Sequence, residues 1–116
     1  MAGELMVDLY GCDSGIIDNL PKIREIAHQI MKEIRAEIVE ECFHKFEPIG
    51  ITYIAVITTS HFSIHTWPEY GYAAVDIFSC DEKVPDLIAE ELKLSLGAQK
   101  SVVHRFERDI EGRRNQ

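Results

Sequence analysis

Ile23, Ile26, Ala27, Ile30, Met31 and Ile34 recur at the i, i+3, i+4, i+7 spacing of one helix face, while Lys22, Arg24, Lys32 and Glu33 turn the other way. Such a stripe has to be buried against another surface, and the rest of the chain offers mostly sheet. Pro21 suits the first turn of this helix, where its missing N–H costs nothing. Residues 4–10 read as a short apolar strand closed by a turn at Gly11-Cys12-Asp13-Ser14-Gly15. Residues 37–46 alternate loosely, Pro48 and Gly50 break the pattern, and residues 51–59 form a β-branched run. Residues 62–66 and 72–80 read as further strands around a turn at Pro68-Glu69-Tyr70-Gly71. A second helix fits residues 85–96, with Ile88 and Leu92 four apart and Gly97 at its C-terminal cap. Residues 101–106 supply a last strand, and the polar stretch 109–116 reads as frayed.

Two helices among several strands predict an α+β fold: a two-layer sandwich, with a mainly antiparallel sheet carrying both helices on one face. The other sheet face is then either solvated or covered by a second copy, and its apolar, β-rich segments favour a homodimer. The length of 116 residues suits a single domain over 1–116. A chain that is 46% hydrophobic and 28% charged is neither disordered nor membrane-spanning in character. No apolar run approaches the roughly 20 residues of a transmembrane helix, and the start lacks the basic and apolar regions of a secretory signal, so a cytoplasmic location is expected. Three cysteines without a C-x-x-C pair argue against a disulfide framework or a structural zinc site. A net charge of -8 disfavours nucleic acid as a partner and suits a cationic small molecule, although ordinary solubility explains it equally well.

The chemistry is concentrated in residues 58–80, which hold hydroxyls, two histidines, two carboxylates, the only tryptophan and a thiol. Ser60, His65 and Cys80 are side chains able to supply a nucleophile, a base and an acid, and spacing alone does not decide among their roles. No Gly-x-Ser-x-Gly elbow surrounds Ser60, and Gly-rich phosphate loops are absent. His61 and His65, four apart, would share a face for a metal on a helix, but their β-branched and aromatic neighbours argue for a strand, and no metal is expected.

The stretch Ser60-His61-Phe62-Ser63-Ile64-His65-Thr66-Trp67-Pro68-Glu69-Tyr70-Gly71-Tyr72-Ala73-Ala74-Val75-Asp76 closely resembles the signature of the prokaryotic S-adenosylmethionine decarboxylase proenzymes. The resemblance extends to Val7-Asp8-Leu9-Tyr10-Gly11-Cys12-Asp13 and to Phe43-His44-Lys45-Phe46-Glu47-Pro48-Ile49-Gly50. It implies a pyruvoyl-dependent enzyme that cuts itself between Thr59 and Ser60. The serine hydroxyl attacks the Thr59 carbonyl, the amide becomes an ester, and elimination followed by loss of ammonia leaves a pyruvoyl group at residue 60. That group forms a Schiff base with the amine of S-adenosylmethionine and accepts the electrons left by carbon dioxide, giving the aminopropyl donor for spermidine and other polyamines. The same resemblance assigns His65 as the processing base, Cys80 as the proton donor, and Glu69 as a substrate carboxylate at the ribose. Phe46 becomes an aromatic that stacks on adenine, and Thr52 a processing hydroxyl. Imidazole titrates near neutrality and a thiol holds its proton there, which suits both acid–base roles.

The sequence departs from the pattern in three places. Thr59 stands where glutamate is usual, Thr52-Tyr53 where Ser-Gly is common, and Asp81 where glycine is common. A β-branched Thr59 crowds the acyl shift, and Tyr53 is expected to add bulk beside the Thr52 hydroxyl. Trp67 and Tyr70 read as packing residues. Two other readings follow from these departures: decarboxylation of arginine or ornithine by the same chemistry, and an unprocessed, non-catalytic paralogue.

Overall fold

The computed structural model describes residues 2–58, 60–80 and 86–113. Thr59 and Asp81 lie outside the described residues. The elements run β1 (Ala2–Tyr10), α1 (Ser14–Ile17), α2 (Leu20–Glu33), β2 (Ile38–Lys45), β3 (Ile51–Ile57), β4 (Ser60–Trp67), a 3-10 turn (Pro68–Tyr70), β5 (Tyr72–Ser79), α3 (Leu87–Ser95) and β6 (Lys100–Arg108). The strands form one sheet in the order β2-β3-β4-β5-β1-β6, and every neighbouring pair is antiparallel. The α+β architecture is the expected one. The helices differ in one respect: Ser14–Ile17, read as part of a turn, forms a short third helix because the Asp13 carboxylate accepts the N–H groups of Gly15 and Ile16.

Strand alternation divides the sheet into two chemically distinct faces. Leu5, Val7 and Leu9 of β1, Ile51, Tyr53, Ala55 and Ile57 of β3, Phe62 and Ile64 of β4, and Ala73, Val75 and Ile77 of β5 are buried. Against them α2 packs Ile23, Ile26, Ala27, Ile30 and Met31, α1 packs Ile17, and α3 packs Ile88, Ala89 and Leu92. The amphipathic stripe seen in the sequence is thus the face of α2 that meets the sheet. Asn19 caps α2 by accepting the Lys22 N–H at 3.1 Å. Gly97 takes φ +63° just past α3, and the Ala98 N–H returns to the Lys93 carbonyl, as the glycine at that position predicts.

Tyr53 corrects an expectation. It is fully buried on the helix side, opposite to Thr52, so its bulk lies away from the Thr52 hydroxyl. Its hydroxyl donates to Glu41 at 2.5 Å, and Glu41 also binds Arg24 at 2.6 Å and His28 at 3.1 Å, tying α2 to β2. Burial would raise the Glu41 pKa, but these hydrogen bonds, led by Arg24, more than offset it and hold the carboxyl at about 2. Among the described residues, no helix is long and apolar enough to cross a membrane.

Candidate active site

The second face of the sheet carries no helix. Its β3 and β4 strands pair with Thr52 opposite His65, and the Thr52 Oγ1 lies 3.0 Å from His65 Nδ1. The hydroxyl therefore fixes the ring through one nitrogen and leaves Nε2 to face a reactant. Across the sheet His65 pairs with Ala74 and then Asp8, so a small residue leaves room beside the imidazole. Asp8 accepts a hydrogen bond from the Tyr72 hydroxyl and lies 3.4 Å from His104 Nε2. Burial first, then this carboxylate, raises the Tyr72 pKa and keeps the phenol protonated.

A second pair stands at the other end of β4. Ser60 is the first residue of that strand and pairs with Ser79 at the end of β5, which brings the Cys80 thiol to 3.4 Å from the Ser60 hydroxyl. Cys80 is exposed, whereas Cys12 is buried with its thiol against the Leu9 carbonyl, and burial pushes its pKa up to about 11. The sequence brings Ser60, His65 and Cys80 within one short stretch. In the fold Ser60 joins Cys80, and Thr52 joins His65. Five residues of extended strand separate the two pairs, about 16 Å at the usual rise of about 3.3 Å per residue.

Trp67 supplies aromatic surface beside His65, and Phe46 lies just past the end of β2 against His44. The register places Trp67 opposite Tyr72, with its ring centroid 6.3 Å from that of His65 and 5.4 Å from that of Tyr72. The Phe46 N–H donates to the Gly50 carbonyl at 2.8 Å, and its ring meets His44 edge-on at 4.6 Å. Gly50 takes φ +111°, a backbone conformation that favours glycine. Phe46 is 46% exposed and Trp67 40% exposed, so Trp67 packs against His65 and Tyr72 and still leaves part of its ring open. Tyr70, 77% exposed, is the residue that departs from the packing reading. The signal that places Trp67 is strand alternation: His61, Ser63, His65 and Trp67 share one face of β4. Glu69 is exposed on the 3-10 turn directly after Trp67 and Pro68. Among the described residues, no group of three or more His, Cys, Asp or Glu is placed to hold a metal ion.

Together the fold and these pairs define an α+β sandwich whose reactive side chains lie at the sheet's end and on the face without helices. Residues 3–109 match the family model for S-adenosylmethionine decarboxylase. The chain is similar to the S-adenosylmethionine decarboxylase proenzyme of Moorella thermoacetica, 49% identical over 81 residues, which are 70% of this chain and 65% of that relative. The chain therefore spans just under two thirds of that relative's length. A proenzyme of the same name from Thermotoga maritima is 44% identical over 106 residues, covering 90% of this chain and 82% of the relative. The crystal structure of the adenosylmethionine decarboxylase from Aquifex aeolicus vf5 superposes with a TM-score of 0.83 at 30% identity, covering 100% of this chain and 98% of that one. The chain belongs to the S-adenosylmethionine decarboxylase family.

Proposed function

We propose that this protein is a self-cleaving, pyruvoyl-dependent decarboxylase of S-adenosylmethionine, assembled from two copies with their open sheet faces together. The observation that carries the reading is the division of the reactive groups into two pairs about 16 Å apart on one strand. Neither pair is a complete site. In two antiparallel copies stacked face to face, the Ser60–Cys80 end of one lies over the Thr52–His65 end of the other. The open face suits that contact, because Tyr10, Ile54, Val56, Trp67, Val102 and Phe106 are exposed on it, an unusual apolar content for a solvated sheet.

The residues present fit the group this chemistry requires. The Ser60 hydroxyl stands at a strand start beside a thiol, open enough to attack the carbonyl that precedes it. Its oxygen forms the ester as the amide C–N bond breaks. The partner's His65, its Nδ1–H donating to Thr52, takes the α-proton of residue 60 at Nε2. Elimination then breaks the ester C–O bond and releases the chain that ends at Thr59, and water hydrolyses the imine tautomer of the dehydroalanine left at residue 60, supplying the ketone oxygen and releasing ammonia. When formed, that group supplies a ketone carbonyl that takes up the substrate amine and withdraws the electron pair left by departing carbon dioxide. Cys80 holds the proton that the substrate carbon then receives.

Phe46, Trp67 and Glu69 favour the adenosyl substrate over arginine or ornithine. They offer two half-exposed aromatic faces and a carboxylate for ribose hydroxyls, features a small amino acid would leave unused. The deciding experiment is the intact mass of the purified protein under denaturing conditions. Two chains, 1–59 and 60–116, the second carrying pyruvoyl in place of Ser60, are expected. A single full-length mass after long incubation would instead support an unprocessed paralogue.

A further inference from the structure

We infer that Asp18 is a positioning residue for substrate binding, acting through the loop that presents Phe46. The inference rests on the reading of Phe46 as the face on which the adenosyl group stacks. Asp18 lies at the end of α1, in the helical layer, apart from the Thr52–His65 pair on the open face and the Ser60–Cys80 pair at the sheet's end. Its Oδ1 accepts the Gly50 N–H at 2.8 Å and binds Lys45 Nζ at 3.1 Å. Lys45 Nζ in turn donates to the Phe46 carbonyl at 3.0 Å, and the Phe46 N–H closes on the Gly50 carbonyl at 2.8 Å. One carboxylate oxygen thus holds both ends of the five-residue loop at 46–50. The next N–H, of Ile51, donates to Thr66 Oγ1 at 3.0 Å, which fixes where the loop enters β3.

Phe46 itself is nearly half exposed, with one side of its ring against His44, so the position of its backbone decides where the exposed side is presented. Asp18 remains ionised through the physiological range, because the Gly50 N–H first, and Lys45 after it, lower its pKa. A group that orders a binding loop in advance strengthens binding by reducing what the ligand must order. The effect belongs in affinity for the adenosyl half of the substrate, with self-cleavage unchanged, because Asp18 holds Lys45 and the 46–50 backbone and binds neither the Thr52–His65 pair nor the Ser60–Cys80 pair.

The test is titration of the purified protein with 5′-methylthioadenosine, which carries the adenosyl group but no amino acid to decarboxylate. Trp67, the only tryptophan, is the fluorescence reporter. Asp18→Ala is expected to raise Kd about fivefold while the protein still cleaves at the normal rate, a split that global destabilisation does not produce. Asp18→Asn, which keeps an acceptor for Gly50, stays within about twofold of wild type. In a Phe46→Ala background, Asp18→Ala adds nothing, since the two act as a unit. Wild-type affinity in Asp18→Ala, or full additivity with Phe46→Ala, overturns the inference. If Asp18→Ala does not fold, Lys45→Met takes its place, with an expected rise of about threefold and an unchanged Kd as the contrary result. Unaltered binding in Phe46→Ala is a separate failure: it removes the stacking role of Phe46 and the inference with it.

Discussion

Thr52 and Tyr53 are adjacent in sequence and belong to opposite sides of the molecule. Thr52 faces the open side of the sheet and holds a histidine 3.0 Å away; Tyr53 faces the helices, fully buried, and reaches a carboxylate held by α2. The same contrast runs through β4, where Phe62 and Ile64 fill the core and His65 and Trp67 stand outside it. In this sheet stability and chemistry use alternate residues of the same strands. Within a strand a substitution therefore affects one or the other according to the face its position occupies, with Ser60 the exception: it shares the parity of Phe62 and Ile64 and reaches Cys80 at the strand's first residue.

The sharpest way to break that comparison is on the chemical side. Ser60→Ala is expected to abolish self-cleavage and activity completely while leaving the melting temperature close to wild type, as read by mass and calorimetry. His65→Ala is expected to block or greatly slow cleavage. If the site forms between copies, a hybrid of Ser60→Ala and His65→Ala protomers holds one intact Ser60–Cys80 pair facing one intact Thr52–His65 pair. Co-expression then restores cleavage of the His65→Ala chain, and a hybrid that never cleaves would place the whole site within one copy.

Cys80→Ala separates the two steps at that site. Cleavage proceeds, and turnover falls roughly 10²- to 10⁴-fold, the range lost with a general acid. Full activity in this variant would take the proton donation away from Cys80. On the structural side, Phe62→Ala is expected to cost about 3–5 kcal/mol by opening a cavity at a fully buried position. Ile54→Ser, on the open face of β3, changes monomer stability little and is expected to weaken self-association, measured by sedimentation.

Much of this division is legible in the sequence. The six-residue stripe of α2 and the β-branched run of β3 carry their own periodicity, and the cap at Gly97 follows from residue type alone. The short helix at Ser14–Ile17 is not legible, because four residues show no period and what holds it is the Asp13 side chain. The split of the site into two pairs escapes for a different reason. A motif groups Ser60, His65 and Cys80 along the chain, but a strand extends them, and only the register between β3, β4 and β5 assigns each its neighbour. Trp67 is easily taken for core because aromatic residues in strands are usually packed there, and its face emerges only by counting from His65.

The smallest predicted effect tests whether Tyr53, at a position where the family's pattern has glycine, has become structural. Tyr53→Phe keeps the buried ring and removes the hydrogen bond to Glu41, a loss of about 1–2 kcal/mol for a bond to a charged acceptor. The pH dependence gives the sign. Glu41 in the folded protein titrates at about 2, below its ordinary 4.5, so its contribution to stability is complete above 4.5 and is lost as pH falls toward 2. Removing the Tyr53 hydroxyl moves the folded pKa back upward, so Tyr53→Phe should lose less stability than wild type between pH 4.5 and 2, even though it starts lower. Parallel acid-unfolding curves for the two proteins would mean that the Tyr53 hydroxyl contributes nothing through Glu41, and that only its ring is needed on the helix-covered face.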